Sequence, residues 1–250
     1  MKYYQKNKVD LPANGRRFVI GDIHGCYRTF RALLESQIAP TMSDQIFLLG
    51  DYIDKGPESR RTLNYIRKLI KKGYKIYPLR GNHEDELLEA TAKEPDFLKW
   101  LMRRSPDMLK NGALRKKHVH FLKSLPYYYE LPDYYLVHAG FNFSTKKPLK
   151  DNKAMLNTRM SAGIQPEFGN DKIIIHGHQP LEIDDILSRI LKREKIIGLD
   201  NGVNYIKTHR IYNYIKMGNL CALNLDTFKL HVQKNCEPEV EKRQTGKKQN

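Results

Sequence analysis

Long apolar runs are missing from this 250-residue chain. No stretch approaches the roughly eighteen apolar residues a membrane-spanning helix needs, and the opening MKYYQKNKVD lacks the apolar centre of a secretory signal. Neither a membrane span nor export is expected. Cysteine is scarce as well. Cys26, Cys221 and Cys236 are too few and too scattered for a disulfide framework, and no CxxC pair points to structural zinc. A reducing cytoplasm is therefore the expected compartment. Heptads, internal repeats and recognisable nucleic-acid modules are also absent, which argues against a coiled coil, a solenoid or a standard DNA or RNA reader.

What is abundant is positive charge. The formal net charge is +16 with a pI near 9.6, compatible with an anionic substrate, an anionic surface or simply a well-solvated basic exterior. Hydrophobic residues make up 40% of the chain, enough for the core of one large domain.

Short runs rich in Val, Ile, Leu, Phe and Tyr recur, and each ends beside glycine in a polar cluster: RRFVIGDIHG, QIFLLGDYID, YKIYPLRGNHE, YYLVHAG and KIIIHGHQP. Such runs read as buried strands, while Tyr27 to Leu34 and Ser59 to Lys71 carry helical periodicity. Strand, loop and helix in alternation is an α/β signature, and α/β sheets carry functional loops at the carboxyl ends of their strands. From about 85 to 125 the pattern becomes mixed charged and apolar with no clear strand, predicting a helical insertion. Its second half holds Arg103, Arg104, Lys110, Arg115, Lys116, Lys117 and Lys123 against the single Asp107. KIIGLDNGV, RIYNYIK, LCALNLD and FKLHVQ are expected to close the fold as strands, in a second sheet packed on the first. The polar stretch 237–250 is expected to be a disordered tail, leaving one catalytic domain over 1–236.

The polar clusters carry the chemistry. They supply Asp22 and His24, Asp51, Asn82 and His83, His138, and His176 and His178. Any one of them has a bland explanation: a turn, a helix cap or a satisfied histidine. Together they do not, because a turn uses the glycine and has no use for the imidazole. Carboxylate and amide oxygens mixed with imidazole nitrogens suit Mn²⁺, Fe or Zn²⁺, and one carboxylate can bridge two ions.

GDIHG, GDYIDKGP, LRGNHE, HAG and GHQP, in that order between about Phe18 and Leu225, resemble the phosphoprotein-phosphatase branch of the binuclear, calcineurin-like metallophosphoesterases. The resemblance implies an αββα sandwich of two mixed β-sheets flanked by helices, with two divalent ions, Mn²⁺ foremost, at the strand ends. It assigns Asp22, His24 and Asp51 to one ion and Asp51, Asn82, His138 and His178 to the other, so that Asp51 bridges. A water shared by the two ions would act as hydroxide on phosphorus. His83 matches the general acid and Asp54 the carboxylate that orients it. Arg80, Arg159 and Lys55 match the phosphate-binding positions; Lys55 stands where the family has arginine and so lacks the planar fork. His176 is expected behind the ligands and Cys26 as a small buried side chain.

The activity this resemblance implies is a phosphomonoesterase of the bacterial serine/threonine protein phosphatase type, acting on a phosphoprotein or a small anionic phosphoester. The alternative is a symmetrical bis(5'-nucleosyl)-tetraphosphatase. HAG occurs in such hydrolases, but they lack a carboxylate at the position of Asp54, and its presence here favours the monoesterase. Nucleic acid is not expected as the main partner, since an intact ligand set would then have no purpose.

Overall fold

The computed structural model describes residues 7–91, 104–110, 113–160, 172–205 and 216–238. Its strands are β1 (Arg17–Ile20), β2 (Gln45–Leu48), β3 (Lys75–Pro78), β4 (Leu109–Lys110), β5 (Ala113–Leu114), β6 (Tyr128–Glu130), β7 (Tyr134–Val137), β8 (Ile173–His176), β9 (Ile196–Gly198), β10 (Asp200–Asn201), β11 (Asn219–Asn224) and β12 (Leu230–Lys234). Among the described residues the α-helices are α1 (Tyr27–Ala32), α2 (Ser59–Lys71), α3 (Asn82–Ala90), α4 (Lys116–Lys123), α5 (Asn152–Asn157) and α6 (Ile183–Leu191).

Six strands form the first sheet, in the order β10-β11-β1-β2-β3 with β12 on the other edge of β11; four form the second, β6-β7-β8-β9. β1, β2 and β3 run parallel, as do β7, β8 and β9, so within each sheet these strands present their carboxyl ends on the same side. The period of two along each strand sorts side chains between layers. Val19, Phe47 and Leu49 pack with Leu136, Ile175 and Ile197 between the sheets. Their neighbours Phe18, Ile20, Ile46 and Leu48 pack instead with Phe30 and Leu34 of the first helical segment and Leu63 and Ile66 of α2. On the second sheet Tyr135, Val137 and Ile174 pack with Phe141 and Met155. The result is helix, sheet, sheet, helix, the mixed αββα sandwich expected.

α2 has the predicted bounds. It buries Thr62, Leu63, Ile66 and Leu69, and places Arg60, Asn64, Arg67 and Lys71 along another stripe. α1 is shorter than expected, because Leu33–Ile38 continues as π-helical turns ending at Ala39 in the left-handed region. Glu237, expected to open a disordered tail, instead accepts from Thr29 N at 2.9 Å and Thr29 Oγ1 at 3.1 Å, satisfying a first-turn N–H of α1 that Cys26 cannot cap. Residues 239–250 of that tail, the run RIYNYIK apart from Lys216, and Arg103 lie outside the described residues.

Two further expectations are corrected. LCALNLD and FKLHVQ supply β11 and β12, which extend the sheet of β1 antiparallel rather than forming the second one. The stretch expected to hold no strand contains the short hairpin β4–β5, and its opening residues through Ala90 simply continue α3 out of the GNHE motif.

Candidate metal centre

Asp22 and His24 follow β1, Asp51 follows β2, Asn82 and His83 open α3 after β3, and His138 and His178 follow β7 and β8. Five side chains of this set and its margin sit on left-handed backbone: His24 (φ 45°), Asp51 (φ 49°), Asp54 (φ 76°), Lys55 (φ 66°) and His178 (φ 65°). That conformation is uncommon for any residue but glycine, and such strain concentrates where function holds it in place. Two glycines make room: a Cβ at Gly81 would occupy the place of the Asp51 carboxylate, and one at Gly177 that of Asp22. Glu84, fully buried, ties the loops together by accepting from Asp51 N (2.8 Å), Tyr52 N (2.8 Å), Ile53 N (3.3 Å) and Gly81 N (3.0 Å).

Asp51 occupies the centre. One carboxylate oxygen lies 3.6 Å from His24 Nε2 and 3.7 Å from His83 Nε2, and the other 3.5 Å from His138 Nε2. His24, Asp51 and His83 form one group of converging donor atoms and Asp51, His138 and His178 a second, sharing Asp51. Backbone carbonyls decide the tautomers. His24 Nδ1 faces Ile53 O at 3.2 Å and His138 Nδ1 faces Leu49 O at 2.9 Å; a carbonyl only accepts, so each Nδ1 carries the proton and each Nε2 points a lone pair inward. Burial holds His24 and His138 below the ordinary histidine range and His178 near about 4, so all three stay neutral, as metal ligands must.

The carboxylates need a cation. Burial, then Asp200 and Asp51, push the Asp22 carboxyl well above its usual range, and its Oδ1 is buried with no hydrogen-bond partner. Burial also acts to raise Asp51, but the surrounding imidazoles and Lys55 outweigh it and hold that carboxyl low. The Lys55 ammonium reaches into this nest, 2.8 Å from the His24 Nε2 lone pair. Asn82 Oδ1 lies 3.0 Å from both His138 Nε2 and His178 Nδ1, oriented by the bond from its own Nδ2 to Glu86 (3.2 Å). Oxygens and imidazoles in this arrangement fit divalent ions.

The sequence profile of one family spans residues 15–206 of the chain. The chain belongs to the calcineurin-like phosphoesterases. It is 33% identical over 129 residues to a "Bis(5'-nucleosyl)-tetraphosphatase, symmetrical" of Aromatoleum aromaticum, an alignment covering 49% of this chain and 43% of that one. With the protein of the same name from Pseudomonas fluorescens it shares 28% over 170 residues, 62% of this chain and 56% of the relative. The chain thus spans about half the length of these curated relatives. A protein serine/threonine phosphatase from Saccharomyces cerevisiae superposes with a TM-score of 0.64 at 16% identity, over 94% of this chain and 86% of that one, a likeness of fold. The family is one of metal-dependent phosphate ester hydrolases, and the site holds the Asp and His groups that such chemistry needs.

The remaining expected site residues of this phosphoesterase separate. His83 Nδ1 meets Asp54 Oδ2 at 2.7 Å, both buried. Burial works against a charged His83, but Asp51 and Asp54 overcome it and raise the ring above its ordinary value. Arg159 is exposed, close enough to His178 for its charge to help keep that ring neutral. Arg80 departs from expectation. Its Nη atoms donate to Asp85 (3.1 Å), Tyr127 Oη (2.9 Å), Leu122 O (3.2 Å) and Lys123 O (2.9 Å), so the guanidinium clasps the end of α4 and must exchange those bonds before gripping a phosphate. His176 is fully buried, held near about 4 by burial, its Nδ1 turned onto Gly177 O at 2.9 Å and away from the ligand set. Cys26 is a buried thiol that burial pushes up, inert as expected.

Three participants carry no mark in the sequence pattern as applied to the other strand ends. Glu84 stands there only as the last letter of GNHE. Asp200 in GLDNG is another glycine-flanked strand-end carboxylate, 3% exposed and raised to about 6 by burial; the pattern used for the other strands would have found it. In the sequence Arg104 is one cation among those of the basic stretch. Its Nε lies 2.6 Å from Asp54 Oδ2, its Nη2 3.0 Å from His83 Nδ1 and its Nη1 3.0 Å from Glu86 Oε2.

Proposed function

We propose that this phosphoesterase is a symmetrical bis(5'-nucleosyl)-tetraphosphatase, converting a dinucleoside tetraphosphate and water into two nucleoside diphosphates. Similarity to the proteins of that name supports the reading. That similarity is the observation that carries it. The carboxylate at Asp54, which such hydrolases lack, is the ground for expecting a monoesterase; here it is shared between His83 Nδ1 at 2.7 Å and Arg104 Nε at 2.6 Å.

Asp22, His24 and Asp51 would hold one ion and Asp51, Asn82, His138 and His178 the other, with Mn²⁺ suited to this mixture of oxygen and imidazole donors. When bound, the ions supply the Lewis acidity that activates water near neutral pH and offsets charge on phosphorus. His83, with Nδ1 turned to Asp54, has Nε2 available to protonate a departing oxygen. Lys55 and Arg159 offer cations for phosphoryl oxygens, Lys55 as a point charge and Arg159 as a fork. The free thiols Cys26 and Cys221, both buried, accord with a cytoplasmic location.

A second reading, a phosphomonoesterase of the serine/threonine protein phosphatase type, is favoured by the 2.7 Å His83–Asp54 hydrogen bond, which equips the site to protonate a poor alkoxide leaving group. Turnover of diadenosine tetraphosphate, p-nitrophenyl phosphate and a phosphoserine peptide, side by side with Mn²⁺ supplied, separates the two. The tetraphosphatase reading expects the highest kcat/KM on the tetraphosphate. A phosphopeptide turned over efficiently, with the tetraphosphate left intact, would sink it.

A further inference from the structure

Positive charge gathers where α4 packs against α2. Arg60, Arg67 and Lys71 are spaced by seven and four residues along α2, so they share a stripe. Arg115 and Lys117 stand at the amino end of α4, and His118, wholly buried, joins the two helices through its Nε2, 3.0 Å from Asn64 Oδ1 of the same stripe. The charges act on one another. Desolvation, then Arg67, Arg115, Lys71 and Arg60, lower the Lys117 amine from its ordinary value, while burial, then Lys117, Arg67, Arg115 and Arg60, hold the His118 ring near about 4.

Counter-charge is missing from this junction. Asp107, the single acidic residue between Arg104 and Lys123, spends Oδ2 on the backbone N of Arg60 at 2.7 Å. Among the described residues no carboxylate pairs with the side chains of Arg67, Lys71, Arg115 or Lys117. Arg115 Nε is buried without a hydrogen-bond partner. A helix leaves its first N–H groups unsatisfied, yet α4 has no side-chain cap and no acidic residue in its first turn, which holds Lys116 and Lys117 instead. Cations held this close repel, and an anion relieves both the repulsion and the unused donors.

The arrangement also indicates the class of anion. Three guanidinium forks suit the paired oxygens of a phosphoryl group, and five cations call for several negative charges. They converge from two helices on one buried imidazole, with no aromatic ring among them to stack a base, so a compact anion fits better than a nucleic-acid strand. We propose that the junction of α2 and α4 is a second anion site, apart from the metal centre, that takes a short oligophosphate chain. This site does not depend on which phosphoester the metal centre hydrolyses.

The test titrates full-length Mn²⁺-loaded protein by calorimetry with a triphosphate whose bridging oxygens are replaced by NH, which the metal centre cannot readily cleave. Wild type should bind two equivalents, one at each site. Arg67→Gln/Arg115→Gln/Lys117→Gln should weaken one of the two by about tenfold or more and leave the other in place. Asp51→Asn should show the opposite loss. A control with equal loss of charge elsewhere, Lys153→Gln/Lys192→Gln/Lys229→Gln, should keep both equivalents. A single equivalent in wild type, or a triple variant at the α2–α4 junction that binds as wild type does, overturns the proposal. Equal weakening in the control would reduce the junction to general electrostatics and overturn it as well. A single-stranded oligonucleotide that binds through these cations, with the triphosphate failing to do so, would replace the compact site by a nucleic-acid surface.

Discussion

The side-chain oxygen of Asn82 lies 3.0 Å from Nε2 of His138, two electron-pair acceptors facing each other inside the protein. His138 has spent its proton on Leu49 O, and the Asn82 amide nitrogen is directed at Glu86. Two lone pairs at this separation repel unless a cation lies near both, and the neutral imidazole leaves that role to a metal.

Metal removal should therefore abolish activity. Exhaustive chelation is expected to leave no turnover of any phosphoester, and added Mn²⁺ to restore it, with metal content measured alongside. Asp51→Asn should be the most damaging ligand change, losing bound metal and more than about 10²-fold in kcat/KM, since ligands matter more than the outer contacts whose loss costs 10–100-fold. Full turnover by metal-free protein would defeat the assignment.

His83 and Asp54 should act through the leaving group. His83→Asn is expected to reduce phosphoserine peptide hydrolysis far more than p-nitrophenyl phosphate hydrolysis, because general acid catalysis is worth about 10²–10⁴-fold and nitrophenolate hardly needs it. The gap should reach at least tenfold. Asp54→Asn should act in the same direction, less severely. Equal losses with metal content intact would reassign His83 to phosphate binding.

Cations from α2 and α4 crowd one face. Burial, then Arg67, Arg115, Lys71 and Arg60, hold the Lys117 amine below its ordinary value. Changing Arg67, Arg115, Lys116 and Lys117 together to Gln should raise KM for anionic substrates a few-fold at low salt, with the difference fading as the Debye length falls to about 8 Å at physiological ionic strength. A KM identical to wild type at every salt concentration would make this face a merely solvated one.

His118 should set part of the acid limit of stability. Buried beneath these cations, its ring is held to about 4, with Nε2 3.0 Å from Asn64 Oδ1. The folded pKa is below the ordinary value of about 6.5, so the unfolded chain binds more protons between them. The contribution is fully present above about pH 6.5 and lost as pH falls toward 4. His118→Gln, which keeps a donor for Asn64, should flatten the fall of Tm across that window; an unchanged slope would exclude His118 as its source.

Arg17 ties the β6–β7 and β11–β12 turns together at the amino end of β1. Its guanidinium, on a residue 6% exposed, donates to Asp133 at 2.8 and 3.0 Å and to Asp226 at 2.7 Å. Arg17→Met should cost about 1–3 kcal/mol by denaturant titration, below the loss for a wholly buried pair because both carboxylates reach solvent. Turnover of the folded fraction should stay at the wild-type level.

The chemistry of the centre was legible in the chain because it is local. An imidazole beside a glycine at the end of an apolar run has no structural purpose in a turn, and the fold brings Asp22, His24, Asp51, Asn82, His83, His138 and His178 of these clusters together, while His176, which fits the same pattern, turns onto Gly177 O. The bounds of α2 were equally legible, since its apolar spacing and its burial follow one period. What the chain alone could not reveal is how separated segments meet. Whether an arginine turns to a phosphate or to the carbonyls ending α4, as Arg80 does, depends on packing that no local pattern records. Glu84 looks like any acidic residue in a first helical turn until burial gives it four N–H donors. Arg104 reads as one more cation of the basic stretch until the fold sets its Nε 2.6 Å from Asp54 Oδ2. The ligand-type side chains at the strand ends and the order in which the strands deliver them are local properties of the chain; which cation faces which carboxylate is set by the folded structure, because that choice rests on desolvation and on contacts between distant segments.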